Sequence, residues 1–374
     1  MACEELLARE PTAVPALARR AVELITRALM YMDDSSGVVG DDLHAMMSVH
    51  AKACAVAPPD PKRLAAWLAK LRLDGPGWPD FELRDYAAAL GEKGRHELAR
   101  IVEARAATAE PDPLGGAPFG IRILREQLAE ISGDVDHYVA VLANDLRGAW
   151  QYRKIVNALR DAGRPADAEA WAKHGLAEVG NPIDMDKLRD VYVDLLLERR
   201  AGEEALTVRR TTFDRNPTDT HYLQLRDTAR RLDCWQNLHK TAVGRVRDAI
   251  DTNPAYAHHL ISILLDEDEP NAAWQTAVEY ADAIGEHRWH ELIELRQTTH
   301  PADVIEPWQT LIEQRLGTTR DKYRYGRAIK MLRRLRDAYR AVGNPDGFQT
   351  YLGELRDRHR RKTSFIAKLD RARL

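Results

Sequence analysis

The sequence predicts an all-α protein: a helical bundle followed by an α-solenoid of helix-turn-helix repeats. Three observations carry that reading. Trp-Gln, or its near-copy Phe-Gln, recurs at Trp235-Gln236, Trp274-Gln275, Trp308-Gln309 and Phe348-Gln349, in steps of 39, 34 and 40 residues. A fixed period of this size marks stacked helical hairpins, each too small to bury its own apolar face. The chain is rich in Ala, Leu, Arg, Asp and Glu, with 30% charged and 44% hydrophobic residues, a composition that favours helix and a soluble fold. No stretch shows the alternating Val/Ile/Thr pattern of a strand.

The elements follow in order. Leu17, Val22, Leu24, Ile25, Ala28 and Leu29 recur at helical spacing. Asp33-Asp34-Ser35-Ser36-Gly37 breaks that helix, and Asp41-Asp42 opens the next, through Leu43, Met46, Met47 and His50. Pro58-Pro59-Asp60-Pro61 ends the unit and supplies Asp60 as N-cap with Pro61 at the first helical position. Leu64, Trp67, Leu68 and Leu71 lie on the helix that follows. After the turn at Gly75–Asp80, another helix carries Leu83, Tyr86, Ala87 and Leu90 and is expected to stop at Gly91 or Gly94.

Residues 109–120 hold three prolines and three glycines, so the domain boundary is placed there: a bundle over 1–110 and a solenoid over 121–374. Helices are predicted over 121–131, 135–146, 152–162 and 168–178. Ala162-Gly163-Arg164 leads into an Ala-rich helix with Trp171 at its middle, and Gly202-Glu203-Glu204-Ala205-Leu206 repeats the theme. Small Ala lets helices approach while one aromatic fills the gap, a pattern that resembles a tetratricopeptide unit. The Trp-Gln units run from there to the end of the chain.

No apolar run reaches the roughly 18 residues of a membrane span, the first ten residues are no signal peptide, and Cys3, Cys54 and Cys234 form neither a disulfide framework nor a Cys-x-x-Cys pair. A cytoplasmic protein is expected. The absence of strands argues against nucleotide-binding parallel sheets.

Few motifs carry chemistry. Gly115-Gly116-Ala117-Pro118-Phe119-Gly120 has the spacing of a phosphate loop but continues as Ile121-Arg122, without the required Lys and Ser/Thr, so it reads as a linker. His96-Glu97 and His290-Glu291 begin like a zinc-protease helix, but Arg100 and Glu294 stand where the second His belongs. His287 and His290 with Glu291 and Glu294 leave a transition-metal site geometrically open beside the simpler reading as surface histidines. Asp33–Gly37 misses the calcium-loop register, and Asp266-Glu267-Asp268-Glu269 reads as a solvated turn. No catalytic residue, cofactor or metal is assigned.

Charge gives the strongest signal beyond the fold. Residues 315–374 hold 18 Lys/Arg against 6 Asp/Glu in a chain of net charge −3. The candidate binding residues are Arg327, Lys330, Arg333, Arg334 and Arg336 on one helix and Arg356, Arg358, Arg360, Arg361 and Lys362 on the last, with Tyr323, Tyr325, Tyr339 and Tyr351 interleaved. Such rows meet a protein partner or a phosphate backbone, or stay solvated and locally paired.

Asp33–Gly40, Leu64-Ala65-Ala66-Trp67-Leu68, Tyr86 with Leu90-Gly91-Glu92, Ala162-Gly163-Arg164, Glu204-Ala205-Leu206, Phe213 with Pro217, and His359-Arg360-Arg361-Lys362 together resemble the helical region that follows the zinc finger in bacterial, especially actinobacterial, SWIM zinc-finger proteins. The three cysteines cannot supply the finger itself, so the resemblance implies the scaffold and not the finger's contacts. Expected, then, is a non-catalytic helical-repeat scaffold holding a partner protein or peptide on its concave face. The alternatives are nucleic-acid binding through the basic C-terminal helices and an enzyme with its site in a helical cleft.

Overall fold

The computed structural model describes residues 9–31, 37–75, 79–110, 118–178, 185–318 and 321–374. The readings at Cys3, Asp33–Ser36, Pro76–Trp78 and Gly115–Ala117 lie outside those residues. Among the described residues the chain is helical with no strand, as the sequence predicts. It divides into two compact units, Met1–Arg199 and Arg200–Leu374.

The first unit contains α1 (Val14–Leu29), α2 (Val38–Val56), α3 (Pro61–Leu73), α4 (Ala87–Ala106), α5 (Phe119–Glu130), α6 (Val135–Ala143), α7 (Ala149–Asp161), α8 (Pro165–Glu178) and α9 (Met185–Glu198). Asp60 caps α3 as its sequence implies, its carboxylate accepting from the Arg63 amide at 2.9 Å, with Pro61 at the first position. Leu43, Leu64, Leu68, Leu83, Tyr86, Leu90, Leu98 and Val102 form one apolar core.

Ile121 and Leu124 of α5 join that same core. Compactness therefore carries the first unit past the Pro/Gly-rich stretch at 109–120, up to Arg199. Composition marks where the chain turns, while core membership depends on contacts between distant residues. The helical geometry breaks at Gly91, as expected: it takes φ +50° and ψ −166°, a conformation only glycine adopts readily, and a second helical segment runs on from this kink to Ala106.

The second unit contains α10 (Gly202–Arg215), α11 (Asp219–Arg231), α12 (Trp235–Thr252), α13 (Ala257–Asp266), α14 (Pro270–Glu279), α15 (Glu286–Arg296), α16 (Ile305–Gly317), α17 (Arg324–Ala341), α18 (Pro345–Arg358) and α19 (Thr363–Ala372). The repeat residues open every second helix: Trp235 begins α12, Trp274 lies in α14, Trp308 in α16 and Phe348 in α18. All four are buried in one continuous core. Their glutamines divide between solvent and a neighbour: Gln236, Gln275 and Gln349 are exposed, while Gln309 donates to the Tyr339 hydroxyl of α17 at 3.0 Å.

One turn links helix to helix repeatedly. Gly163, Asp233, Asp268 and Gly343 all have positive φ, between 55° and 73°. After each, an amide bonds back to the carbonyl five residues earlier: Arg164 to Leu159 at 2.8 Å, Cys234 to Ala229 at 2.9 Å, Glu269 to Leu264 at 2.8 Å and Asn344 to Tyr339 at 3.0 Å. This bond satisfies a carbonyl left open at the helix end, and the left-handed residue reverses the chain into the next helix. Glycine takes that conformation freely, and Asp is among the few other residues that tolerate it.

Candidate interaction surface

Helix α17 is amphipathic by arithmetic. Ala328, Ile329, Met331, Leu332, Leu335, Ala338 and Tyr339 are buried at three- and four-residue spacing, which sends the residues between them to solvent. Arg327, Lys330, Arg333 and Arg334 are exposed there. Arg327 lies 3.3 Å from Asp321. Lys330, Arg333 and Arg334 have no hydrogen-bond or ion-pair partner among the described residues. Arg336 turns to the other side: it is half-buried, and its Nε lies 3.5 Å from the adjacent Asp337 without a hydrogen bond.

The second basic group is mostly engaged within the fold. Arg356 pairs with Asp370 of α19. Arg358 lies 3.0 Å from Glu313 of α16 and 3.5 Å from Glu354. Lys362 donates through Nζ to the Leu316 carbonyl at 2.7 Å, closing the C-terminal end of α16, where a cation is favoured by the open carbonyls and the helix dipole. Arg360 and Arg361 alone are exposed without partners among the described residues. His359, beside them, bonds Glu313 at 2.6 Å.

The interleaved tyrosines also separate. Tyr325 packs against Phe365, with ring centres 5.7 Å apart. Tyr339 takes the hydrogen bond from Gln309, and Tyr351 is buried. Only Tyr323 offers an open face, at 61% exposure, with the Lys322 ammonium 4.9 Å from its ring centre.

Several of the other sequence candidates are engaged within the fold. His290 meets Trp308 edge-on, with ring centres 5.0 Å apart, and lies 3.5 Å from Glu286. Glu97 pairs with Arg100 at 2.7 Å. In the acidic run, Asp266 pairs with Arg226 of α11. Glu267 lies 2.9 Å from His239 of α12 and accepts from the buried Tyr222 hydroxyl. Among the described residues no group of three His, Cys, Asp or Glu could hold a metal ion.

The sequence did not disclose a buried polar cluster in the first unit. His50, only 2% exposed, bonds through Nδ1 to the Tyr86 hydroxyl at 3.0 Å, and Cys54 Sγ lies 3.6 Å from its Nε2. Burial, aided by the charge of Arg19, lowers the imidazole pKa to about 4, and burial raises the Cys54 thiol to about 11. An imidazole held neutral beside a thiol held protonated is a packing arrangement and not an activated nucleophile. The spacing of His50 and Cys54, one helical turn apart, was readable; their convergence with Tyr86 was not.

The buried repeat aromatics and recurrent turns define a helical-repeat protein. Within that class the chain belongs to the family of unknown function DUF6880, whose model matches residues 119–368. No curated protein matches it. Among solved structures, the chain is similar to a human IFIT1 dimer with m7Gppp-AAAA, at 12% identity and TM-score 0.27, covering 92% of this chain and 87% of that one. It is likewise similar to a human IFIT1 dimer with PPP-AAAA, at 13% identity and TM-score 0.27, covering 92% and 86%. Superpositions this loose carry no argument about fold or ligands.

Proposed function

We propose that this chain is a non-catalytic scaffold, working in the cytoplasm, whose stacked hairpins hold a partner protein or peptide. Helical repeats offer a long concave surface for such a partner. The observation that supports an anionic partner is the α17 stripe: Lys330, Arg333 and Arg334 stand exposed without partners among the described residues, on a helix whose other face is fixed in the core. Nearby cations such as Arg315, Arg356 and Arg358 are by contrast already paired.

A rigid row of unpaired cations suits an acidic protein segment, with charge setting encounter rate and register. Binding to single-stranded nucleic acid adds stacking on several aromatic faces to a basic groove. Here only Tyr323 of the four tyrosines keeps its ring open, which favours protein over nucleic acid. On this reading the likeness to the helical region of SWIM zinc-finger proteins is a likeness of scaffold.

Capture from native-host lysate with the full chain as bait, with and without nuclease, tests the reading. Partners retained after nuclease uphold it. Partners lost with nuclease overturn it in favour of nucleic acid.

A further inference from the structure

The first unit contains a cleft of about 600 Å³ bordered by α3, α5, α6, α7 and the segment 80–84. Its charge is unbalanced. Asp80, Glu82, Glu126, Glu130 and Asp161 line it against Arg72, Arg84 and Lys154. Two of those cations are consumed: Arg72 lies 2.5 Å from Asp80, and Lys154 is 3.0 Å from Glu126. Arg84 reaches Glu82 at 3.6 Å and Glu130 at 3.8 Å, but its side chain is 62% exposed, and an ion pair so exposed to water holds weakly. Asp161 has no partner among the described residues.

The second observation is Tyr138. It is 9% exposed and lines this cleft, and its hydroxyl has no hydrogen-bond partner among the described residues. A tyrosine packed at a cleft wall with its hydroxyl unpaired can serve as donor or acceptor to a ligand. Burial raises the Tyr138 pKa, and the charges of Glu130, Glu126 and Glu82 raise it further. The phenol therefore stays neutral, with a lone pair free to accept from a cation. Ile123, Val135 and Ala158 supply an apolar wall.

We propose that this cleft binds a small organic cation, a guanidinium or primary ammonium on a short aliphatic stem. The head would donate to Tyr138 and to the carboxylates of Glu130 and Asp161, and the stem would lie along Ile123 and Val135. Anions are repelled by the excess of carboxylates. Guanidinium is the better fit, because its planar fork donates to several acceptors at once and it sheds water more easily than ammonium.

The test uses the full chain and two probes of nearly equal shape, N-butylguanidinium and N-butylurea, titrated calorimetrically at low ionic strength. The charged probe binds, and the neutral one is weaker by about tenfold or more, the scale of a lost charge-assisted hydrogen bond. Glu130→Gln and Tyr138→Phe each weaken the charged probe several-fold and leave the melting temperature in place. The probe comparison, made on the unaltered chain, remains decisive if a variant fails to fold.

Equal affinity for the two probes, or no binding of either up to about 10 mM, overturns the proposal. Acetyl-arginine amide separates the two sources of such a cation. If it binds like butylguanidinium, the cleft takes an arginine side chain from a peptide. If it fails where butylguanidinium binds, the cleft takes free cations. Either result upholds the cation site, and neither depends on the α17 surface.

Discussion

Replacing Trp274 by Ala tests the repeat core where it is best defined. The Trp274 side chain is 6% exposed. Its ring meets Trp289 of α15 edge-on, at 5.7 Å and 81°, and Arg296 lies 5.6 Å from its centre. A buried indole removes on the order of 200 Å² from water, about 5 kcal/mol at 25 cal/mol per Å². The edge-on contact adds roughly 1 kcal/mol, and partial collapse of the space recovers some of the loss. A destabilisation of about 4 kcal/mol follows, within the usual range for Trp to Ala. For a unit of this size that lowers the melting temperature by roughly 8–16 °C.

The assay is thermal and urea unfolding of the full chain followed by circular dichroism, with Gln275→Ala as the comparison. Gln275 is the exposed neighbour, so its loss moves stability by no more than about 0.5 kcal/mol. A loss below about 1 kcal/mol for Trp274→Ala, or equal losses for the two variants, refutes the assignment of the repeat aromatics to the core.

Two other perturbations have definite signs. His50 has a folded pKa of about 4 against 6.5 when free, so the unfolded state binds the extra proton between those values. Its contribution is therefore fully present above pH 6.5 and is lost as pH falls towards 4, by about 3 kcal/mol. Urea titrations at pH 6.5 and 4.5 should show about 2 kcal/mol of that loss in the native chain and a smaller one in His50→Phe, whereas equal losses would remove His50 as the cause. At Gly175 of α8, a Cβ would stand 2.5 Å from Tyr152 Cγ and 2.9 Å from Leu188 Cδ2. Gly175→Ala should cost about 1–3 kcal/mol through overpacking, although Ala is the better helix former by about 1 kcal/mol. A rise in melting temperature would contradict that packing.

Much of the fold is legible because its signals are local. The cap at Asp60-Pro61 and the turn at Ala162-Gly163-Arg164 depend on a few adjacent residues. The Trp-Gln spacing works because each hairpin repeats the same local problem of covering an apolar face. Less legible is where left-handed turns fall without glycine: Asp233 and Asp268 take that conformation, and the acidic run containing Asp268 also supplies partners to Arg226 and His239.

For the surface, periodicity places Lys330, Arg333 and Arg334 on a solvent face. It does not reveal that Arg336 turns away, that Arg356 finds Asp370, or that Lys362 closes α16. Those pairings connect helices, and nothing in the local sequence encodes them. The same holds for Tyr138 and its carboxylates, which come from separate elements of the first unit.

The central claim is that the cationic face of α17 meets an acidic protein partner. Its most direct measurement is quantitative capture with the native chain and with Lys330→Glu/Arg333→Glu/Arg334→Glu, after nuclease treatment and at matched melting temperature. The account predicts a partner retained by the native chain and depleted about tenfold or more with the triple variant. Equal recovery of that partner by a folded triple variant would contradict it.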